Sequence, residues 1–262
     1  MFLFFPDFAV ITAVTPELYS TIQGLLSFES LQNFSLGGGT SLALRYNHRQ
    51  SLDIDLFSSE LIGKKGFNKI ITEAIAKYGE NATQFDFPCD IDDQLIFLRF
   101  FIQKEDLSIK VEVLQNFKTL FDSEQVNGLR LVSEKDLGLL KLTCAAERQC
   151  KKDIYDLDQI TDRISIIELF ELLKEKEEKY NLESDLTIFD GPSPIQQPES
   201  LIEFDDPYVG DERRPIHSND HLNLMEDAKP WRKARSSWIK KMRQIFNHLN
   251  RDYPSPKGFD VR

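Results

Sequence analysis

The chain has 262 residues, 41% of them hydrophobic and 29% charged, which is enough to bury a core and is typical of a soluble globular protein. Its 43 acidic and 32 basic residues give a net charge of -11, which disfavours a protein that coats nucleic acid through a broad basic surface. Three cysteines without a Cys-x-x-Cys pair argue against a disulfide framework and indicate a reducing, cytoplasmic location, and no segment has the length and apolar character of a membrane span.

Helical and strand patterns alternate in the first half of the chain. Thr15 has the residue type of a helix N-cap and Pro16 that of the first helical position. The aromatic residues Phe97, Phe100 and Phe101 predict a central strand that is buried on both faces. The elements predicted here are a strand or arm at 1–5, helices at 15–28, 40–46 and 67–78, and strands at 33–36, 52–57, 94–103 and 107–115.

The second half of the chain reads as helical, with a change of composition after residue 180. Ser133 and Asp136 have the spacing of a capping box and predict a helix start. From 181 to 227 the chain is rich in proline and acidic residues with little periodicity, which predicts a linker or a wrapping arm. The segment 229–251 has eight Lys or Arg and no Asp or Glu, and it predicts a basic amphipathic helix. Other helices are expected at 133–149, 152–160 and 166–180.

These elements predict an α/β (α+β) fold in which a small mixed sheet is followed by a helical region. The expected divisions are a core at 1–120, a helical region that closes the cleft at 121–180, an acidic proline-containing arm at 181–228, and a basic helix with its tail at 229–262. The hairpin turn between the two long strands is expected at 104–106.

The most informative stretch lies at 36–57. Three glycines at 37–39, between a strand and a helix, let the backbone approach a ligand closely, and the amides of a helix start favour an anion such as a triphosphate. Thr40 adds a hydroxyl. Asp53 and Asp55 are two residues apart on a predicted strand and so share a face, where Mg²⁺ held with substrate phosphates would relieve their repulsion. The residues expected to face the core from the same strand are Leu52, Ile54 and Leu56.

Each feature alone is a weak signal, but together they are the arrangement required for metal-assisted phosphoryl or nucleotidyl transfer. Gly37-Gly38-Gly39-Thr40 followed by Asp53-x-Asp55 resembles the signature of the polymerase-β-like nucleotidyltransferases. The intervening Leu-Ala-Leu-Arg-Tyr at 42–46 and His-Arg-x-Ser at 48–51 resemble specifically the AbiEii/AbiGii toxin family. The resemblance covers roughly residues 34–160.

The second motif of that family is Lys-x-Asp on a later strand, and its match here is Lys110-Val111-Glu112. Alternation on this strand predicts that Lys110 and Glu112 face away from the core. The resemblance implies that Glu112 joins Asp53 and Asp55 as the third metal carboxylate, with a side chain about 1.5 Å longer than that of the family's Asp.

The later motifs fall on predicted helices. By the resemblance, Lys141 is implied to hold the nucleotide phosphates, and Asp153 and Asp156 are implied to complete the active cleft. The spacing itself places Lys141 and Arg148 on one helix face, which Lys152 extends, as a cationic ridge that suits a triphosphate. Complementation of a helix dipole is the alternative role of the two aspartates.

A basic cluster follows the glycine-led helix. Arg45 is expected to complement the C-terminal end of that helix. For His48 and Arg49 two roles remain open, packing under the carboxylates or contact with nucleotide or RNA. The four histidines of the chain are scattered without ligand spacing, so a histidine metal site is not expected.

The resemblance implies a Mg²⁺-dependent nucleotidyltransferase that uses a nucleoside triphosphate, with a tRNA 3′ end as acceptor. It also implies the toxin of a toxin–antitoxin or phage-defence pair whose antitoxin is encoded nearby. The alternatives are nucleotidylation of a protein, a nucleotide- or RNA-binding module without catalysis, and a C-terminal basic helix that binds RNA or an acidic partner. The implied catalytic residues are Asp53, Asp55, Glu112 and Lys141. The implied phosphate-binding residues are Gly38, Gly39, Thr40, Lys110, Arg148, Asp153 and Asp156.

Overall fold

The computed structural model describes residues 11–89, 93–104, 107–202, 204 and 222–255. These residues include one seven-stranded mixed sheet and seven α-helices, which confirms the expected fold class. The strand or arm expected at 1–5 and turn residues 105 and 106 lie outside the described residues. The chain divides into two compact units that interleave along the sequence. Unit 1 comprises Met1–Leu137, Glu175–Asp190 and Leu222–Lys229, and unit 2 comprises Gly138–Lys174, Gly191–His221 and Pro230–Arg262.

The elements are numbered in chain order. The strands are β1 (Ser35–Leu36), β2 (Ile54–Phe57), β3 (Ala82–Asp86), β4 (Phe97–Lys104), β5 (Leu107–Leu114), β6 (Glu124–Val126) and β7 (Leu129–Leu131). The α-helices are α1 (Pro16–Leu26), α2 (Gly38–Tyr46), α3 (Gly63–Tyr78), α4 (Glu134–Arg148), α5 (Lys151–Ile160), α6 (Ile166–Lys179) and α7 (Trp231–His248). Short 3-10 turns lie at Glu29–Leu31, Gly79–Asn81, Glu183–Asp185 and Pro198–Leu201.

The sheet has the strand order β3-β4-β5-β2-β1-β7-β6. At its centre β2 runs parallel to β5 and pairs Asp55 with Glu112, while β4 runs antiparallel to β5 and pairs Arg99 with the same Glu112. Three charged residues therefore lie side by side across three neighbouring strands, because paired residues on adjacent strands point to the same face. The opposite face is apolar, and its fully buried members include Ile54, Leu56, Leu98, Phe100, Ile109, Val111 and Val113.

Two sequence predictions about burial are wrong. Leu52 lies before the start of β2 and is 46% exposed, because the strand begins only at Ile54. In β4 only Leu98, Phe100 and Ile102 are fully buried, whereas Phe97 and Phe101 on the other face are half-buried. The aromatic run therefore belongs to a strand with one core face, and its other face carries polar residues of the candidate site.

Local sequence signals explain where the first helix begins. The side-chain oxygen of Thr15 accepts a hydrogen bond from the amide of Leu18 at 3.2 Å, and Pro16 opens the helix, both as predicted. Among its core-facing residues, Leu18, Ile22 and Leu25 are completely buried.

Three strands were missed by the sequence interpretation. Strand β3 follows α3 after the 3-10 turn at Gly79–Asn81, and β6 pairs with β7 in a tight hairpin. The turn of that hairpin is Asn127-Gly128, and both residues have positive φ, at 52° and 73°. This dipeptide is a strong hairpin signal and predicts such a turn from sequence.

The basic helix expected at the C-terminal end is present as α7 in unit 2. Its Trp238 is fully buried, and the indole Nε1 donates a hydrogen bond to the carbonyl oxygen of Leu201 at 2.9 Å. Lys241 also points inward, with Nζ 2.7 Å from a carboxylate oxygen of Asp158 and 2.7 Å from one of Asp162. The described helices include none with the length and apolar character that a membrane crossing requires.

Candidate active site

Three carboxylates and one lysine meet on the polar face of unit 1. Asp55 lies on β2 and Glu112 beside it on β5, while Asp53 lies in the residues just before β2, with its side chain 41% exposed. The ammonium of Lys110 is 3.1 Å from Oε2 of Glu112 and 3.6 Å from Oδ2 of Asp53, and it also experiences the charge of Asp55. The first two sequence motifs are therefore brought together in space.

The start of α2 lies directly against Asp55. Gly37 is the N-cap and donates its amide to the carbonyl oxygen of Asp55 at 2.8 Å, while Gly38 is the first residue of the helix, with φ at +60°. A side chain at position 38 would overlap Oδ2 of Asp55. The Asp55 carboxylate thus occupies room that exists only because residue 38 is glycine, next to a helix N-terminus that stabilises negative charge.

This contact predicts a specific effect of Gly38→Ala. The positive φ should cost about 1–2 kcal/mol of unfolding free energy, and the added methyl should also displace the Asp55 carboxylate. Gly128→Ala is the matched control, because Gly128 has φ at +73° and a methyl group added there would meet no atom within 4 Å. Urea denaturation should show the cost of the positive φ in both variants and an additional cost in Gly38→Ala, where the methyl group meets the Asp55 carboxylate. Equal stabilities of the two variants would contradict the role of this contact.

Both oxygens of Glu112 face cations. Arg99 donates from Nε to Oε1 at 2.8 Å, and Lys110 donates to Oε2 at 3.1 Å. Burial works to raise the pKa of Glu112, but the charge of Lys110 and the hydrogen bond from Arg99 outweigh it, so the pKa lies below its ordinary value. Burial likewise works to lower the pKa of Lys110, and the charges of Asp53, Glu112 and Asp55 outweigh it, so this pKa is raised. The lysine and the glutamate are therefore both charged at neutral pH.

The cross-strand pair should show a measurable coupling energy. In a double-mutant cycle with Arg99→Met and Glu112→Gln, we expect about 1 kcal/mol of coupling in the free energy of unfolding. The value is modest because the Arg99 side chain is 35% exposed and solvent screens the pair. Urea denaturation of the four proteins would measure it. Additive effects of the two substitutions would show that the ion pair contributes nothing to stability.

The chemistry of the carboxylates fits Mg²⁺, which prefers oxygen ligands and is commonly held by one or two protein carboxylates together with substrate phosphates. Asp53 and Asp55 would hold it in this way. Within the described residues, no group of three or more His, Cys, Asp or Glu side chains is already arranged as a metal site. At this face the Glu112 oxygens are turned towards Arg99 and Lys110.

Thr40 has a different environment from the one expected for a phosphate ligand. It is fully buried, and its hydroxyl contacts Ser51 Oγ at 2.7 Å and donates a hydrogen bond to the carbonyl oxygen of Asp53. Thr40 therefore ties α2 to the segment that carries Asp53. The amides of Gly38 and Gly39 remain the groups of this turn that suit a phosphate, since the first amides of a helix have no intrahelical partner.

The basic residues in the last turn of α2 and just after it are mostly buried within unit 1. Arg45 forms an ion pair with Glu124 at 2.7 Å and donates to the carbonyl oxygen of Val132 at 2.9 Å, so it links α2 to the β6–β7 hairpin. His48 and Arg49 are only 2% and 5% exposed. The guanidinium of Arg49 lies against Gly39. These positions favour packing beneath the site as the role of both residues.

The remaining predicted site residues form a second cluster, in unit 2. The Lys141 ammonium lies 2.7 Å from Oδ1 of Asp153 and 2.8 Å from Oδ2 of Asp156, and Arg148 is 3.2 Å from Asp153. Lys141 is 6% exposed and Asp156 is fully buried. The predicted cationic ridge is therefore wrong, because α5 supplies two carboxylates that neutralise the lysine. The structure joins the third and fourth motifs as one buried ion-pair network.

Arg99 is the residue of the site that the sequence interpretation missed. The alternation of buried and half-buried residues along β4 could have indicated it. Arg99 lies on the half-buried face of that strand, between Phe97 and Phe101. A charged residue between two aromatic residues on a strand indicates a polar face with a specific partner, and here that partner is Glu112.

The comparison with known proteins agrees with this geometry. A family model described as the nucleotidyl transferase AbiEii toxin of type IV toxin–antitoxin systems matches residues 23–250. An uncharacterized protein of Aquifex aeolicus (strain VF5) is 28% identical over 141 residues, which cover 54% of this chain and 64% of that protein. The family match includes both clusters and extends through α7, beyond the stretch that carried the resemblance in the sequence. The chain therefore belongs to the AbiEii nucleotidyl transferase toxin family.

Proposed function

We propose that the protein is a Mg²⁺-dependent nucleotidyltransferase that transfers a nucleoside monophosphate from a nucleoside triphosphate to an acceptor hydroxyl. The observation that carries this proposal is the position of the Asp55 carboxylate, which lies against the first residue of α2 and beside Glu112. A helix start that accepts phosphates and an adjacent set of carboxylates are the two parts that the reaction requires.

In this proposal each group has a separate task. Asp53 and Asp55 would hold Mg²⁺, with Glu112 as the third carboxylate, and the ion would neutralise the charge of the triphosphate. The amides of Gly38 and Gly39 bind phosphate oxygens, and Lys110 adds a positive charge beside them. Glu112 positions the acceptor hydroxyl and takes its proton. The hydroxyl oxygen forms a bond to the α-phosphorus while the bond from that phosphorus to the oxygen bridging to the β-phosphate breaks, and pyrophosphate leaves with that electron pair.

A separate proposal concerns Lys141, which lies in an ion-pair network with Asp153, Asp156 and Arg148. We propose that the aspartates hold the lysine in one position and that it pairs with nucleotide phosphate during the reaction. The acceptor we propose is a tRNA 3′ end, and growth arrest would follow from the modified tRNA. The family description implies an antitoxin as partner, and we propose that it is encoded beside the toxin.

A second candidate function is nucleotide binding without turnover. The observation that favours it is the pairing of both Glu112 oxygens with Arg99 and Lys110, since catalysis requires this carboxylate to exchange partners. Calorimetry with a nucleoside triphosphate and Mg²⁺ would then show binding, while no pyrophosphate would be released.

The decisive experiment is incubation of the full chain with each α-labelled nucleoside triphosphate, Mg²⁺ and total tRNA. We expect label in tRNA, and none when a chelator removes the metal. Label in protein bands would identify nucleotidylation of a protein as the activity. Absence of transfer to either acceptor, with every nucleotide, would overturn the proposed function.

A further inference from the structure

Helix α7 in unit 2 has two faces of different chemistry. One face packs into the interior through five fully buried side chains, Ala234, Trp238, Met242, Ile245 and Phe246. The opposite face is exposed. Since the helix turns by about 100° per residue, Arg232, Lys233, Lys240 and Arg243 fall within a sector of roughly 100° that points away from the buried side.

These four residues, which we call the α7 basic face, have no carboxylate within ion-pair distance among the residues that the structure describes. Lys241 on the same helix differs, because it is neutralised by Asp158 and Asp162. Within the described part of the chain, no carboxylate offsets the charge of the α7 basic face, in a protein of net charge -11. It extends over about 16 Å along the helix axis, because 11 residues at 1.5 Å each separate its ends.

The side chains between these cations are polar and hydrogen-bonding. Ser236, Gln244 and Asn247 are exposed within this sector or at its edge. The large apolar side chains that are exposed in the described residues all lie outside α7. The nearby ring of Tyr253 is partly buried and already engaged, with the Arg243 guanidinium 5.2 Å from its centroid and Phe246 packed against it.

We propose that the α7 basic face binds the phosphate backbone of a double-stranded region of RNA. A protein partner would require aromatic or apolar anchors at the centre of its interface, and this face has none. Single-stranded RNA would require open aromatic rings for base stacking, which are also missing from the face. Double-stranded RNA is recognised mainly through its shape, its phosphates and its 2′-hydroxyls, and side chains that donate hydrogen bonds to anions meet that requirement.

This inference rests on the proposed function, because the proposed acceptor, a tRNA, has base-paired stems whose phosphate backbone the α7 basic face would bind. Its test does not depend on catalysis. Binding can be measured with the Asp55→Asn variant, in which we expect transfer to be strongly reduced, so that a failure of RNA binding and a failure of chemistry are seen separately.

The experiment measures the binding of a fluorescein-labelled RNA stem-loop to the full chain by anisotropy, between about 50 and 200 mM salt. The test variant combines Arg232→Gln, Lys233→Gln, Lys240→Gln and Arg243→Gln. The matched control combines Lys64→Gln, Lys65→Gln, Lys69→Gln and Lys77→Gln on the exposed side of α3 in unit 1, which removes the same charge. Circular dichroism would confirm that both variants are folded.

We expect the test variant to lose affinity and its salt slope to fall by up to about 4, because each lost phosphate contact removes about one unit of slope. The control should keep most of the slope. An equal slope in the test variant and the unchanged protein would overturn the proposal, as would preference for an unpaired oligonucleotide. Retained RNA binding together with lost binding of an acidic peptide from residues 199–212 would assign the face to an acidic protein segment instead.

Discussion

Asp55→Asn should reduce nucleotidyl transfer on the order of 10²–10³-fold while the protein remains folded. The substitution keeps the size of the side chain and its contact with the start of α2, but it removes the negative charge that a metal ligand at this position requires. The loss should appear in kcat, since charge at the reacting phosphates develops in the transition state. Transfer of label to tRNA, measured under single-turnover conditions, would quantify it.

Asp86→Asn is the matched control for this variant. Asp86 is an exposed carboxylate on β3 of the same sheet and lies opposite Arg99 in the strand register. Strands β4 and β5 separate β3 from β2, which carries Asp55. We expect its transfer rate to stay within a factor of about 3 of the unchanged protein, since surface substitutions usually cost less than about 0.5 kcal/mol. Equal losses in the two variants would mean that the sheet as a whole, and not the Asp55 carboxylate, supports activity.

Lys141→Met should destabilise the protein by about 3–5 kcal/mol, because it leaves two buried aspartates without the ammonium between them. Asp153 keeps a contact with Arg148 at 3.2 Å, but the fully buried Asp156 loses its ion pair with Lys141 at 2.8 Å. Urea denaturation followed by circular dichroism would measure the change. Because the lysine is also a proposed catalytic residue, activity of this variant must be compared at equal folded concentration.

Two further variants separate charge from packing at this position. Lys69→Met removes an exposed lysine from α3 and should change stability by about 0.5 kcal/mol at most. Lys141→Met combined with Asp156→Asn should recover part of the stability, because one of the stranded charges is then removed. A double variant that is no more stable than Lys141→Met alone would contradict the electrostatic explanation.

Much of the architecture was predictable because its signals are local. The Thr15 cap, the Ser133 cap and the apolar stripe of α7 depend on residues within a few positions of each other, and the structure confirms them. The first motif was also predictable, since its glycines and Asp55 meet through a short helix and a neighbouring strand. The contact between Gly38 and the Asp55 carboxylate could not be predicted, because it depends on the register in which β1 pairs with β2.

Long-range partners were the part that sequence could not supply. Lys141 and Arg148 lie on one helix, and their spacing predicts a cationic ridge. In the structure Asp153 on the next helix forms ion pairs with both of them. The sequence predicts Thr40 as a phosphate ligand, but in the structure its hydroxyl contacts Ser51 Oγ instead. In each case the missing information is which strand or helix packs against the residue, and single-sequence spacing does not encode it.

The burial of Trp238 on α7 has a practical consequence for spectroscopy. The chain has two tryptophans, and both Trp231 and Trp238 lie on this helix, so intrinsic tryptophan emission reports the state of unit 2 alone. Unit 1, with its sheet and carboxylates, is silent in that signal but dominates the strand contribution to circular dichroism. Emission and dichroism recorded on the same denaturant series would coincide if the two units unfold together and would separate if one melts first.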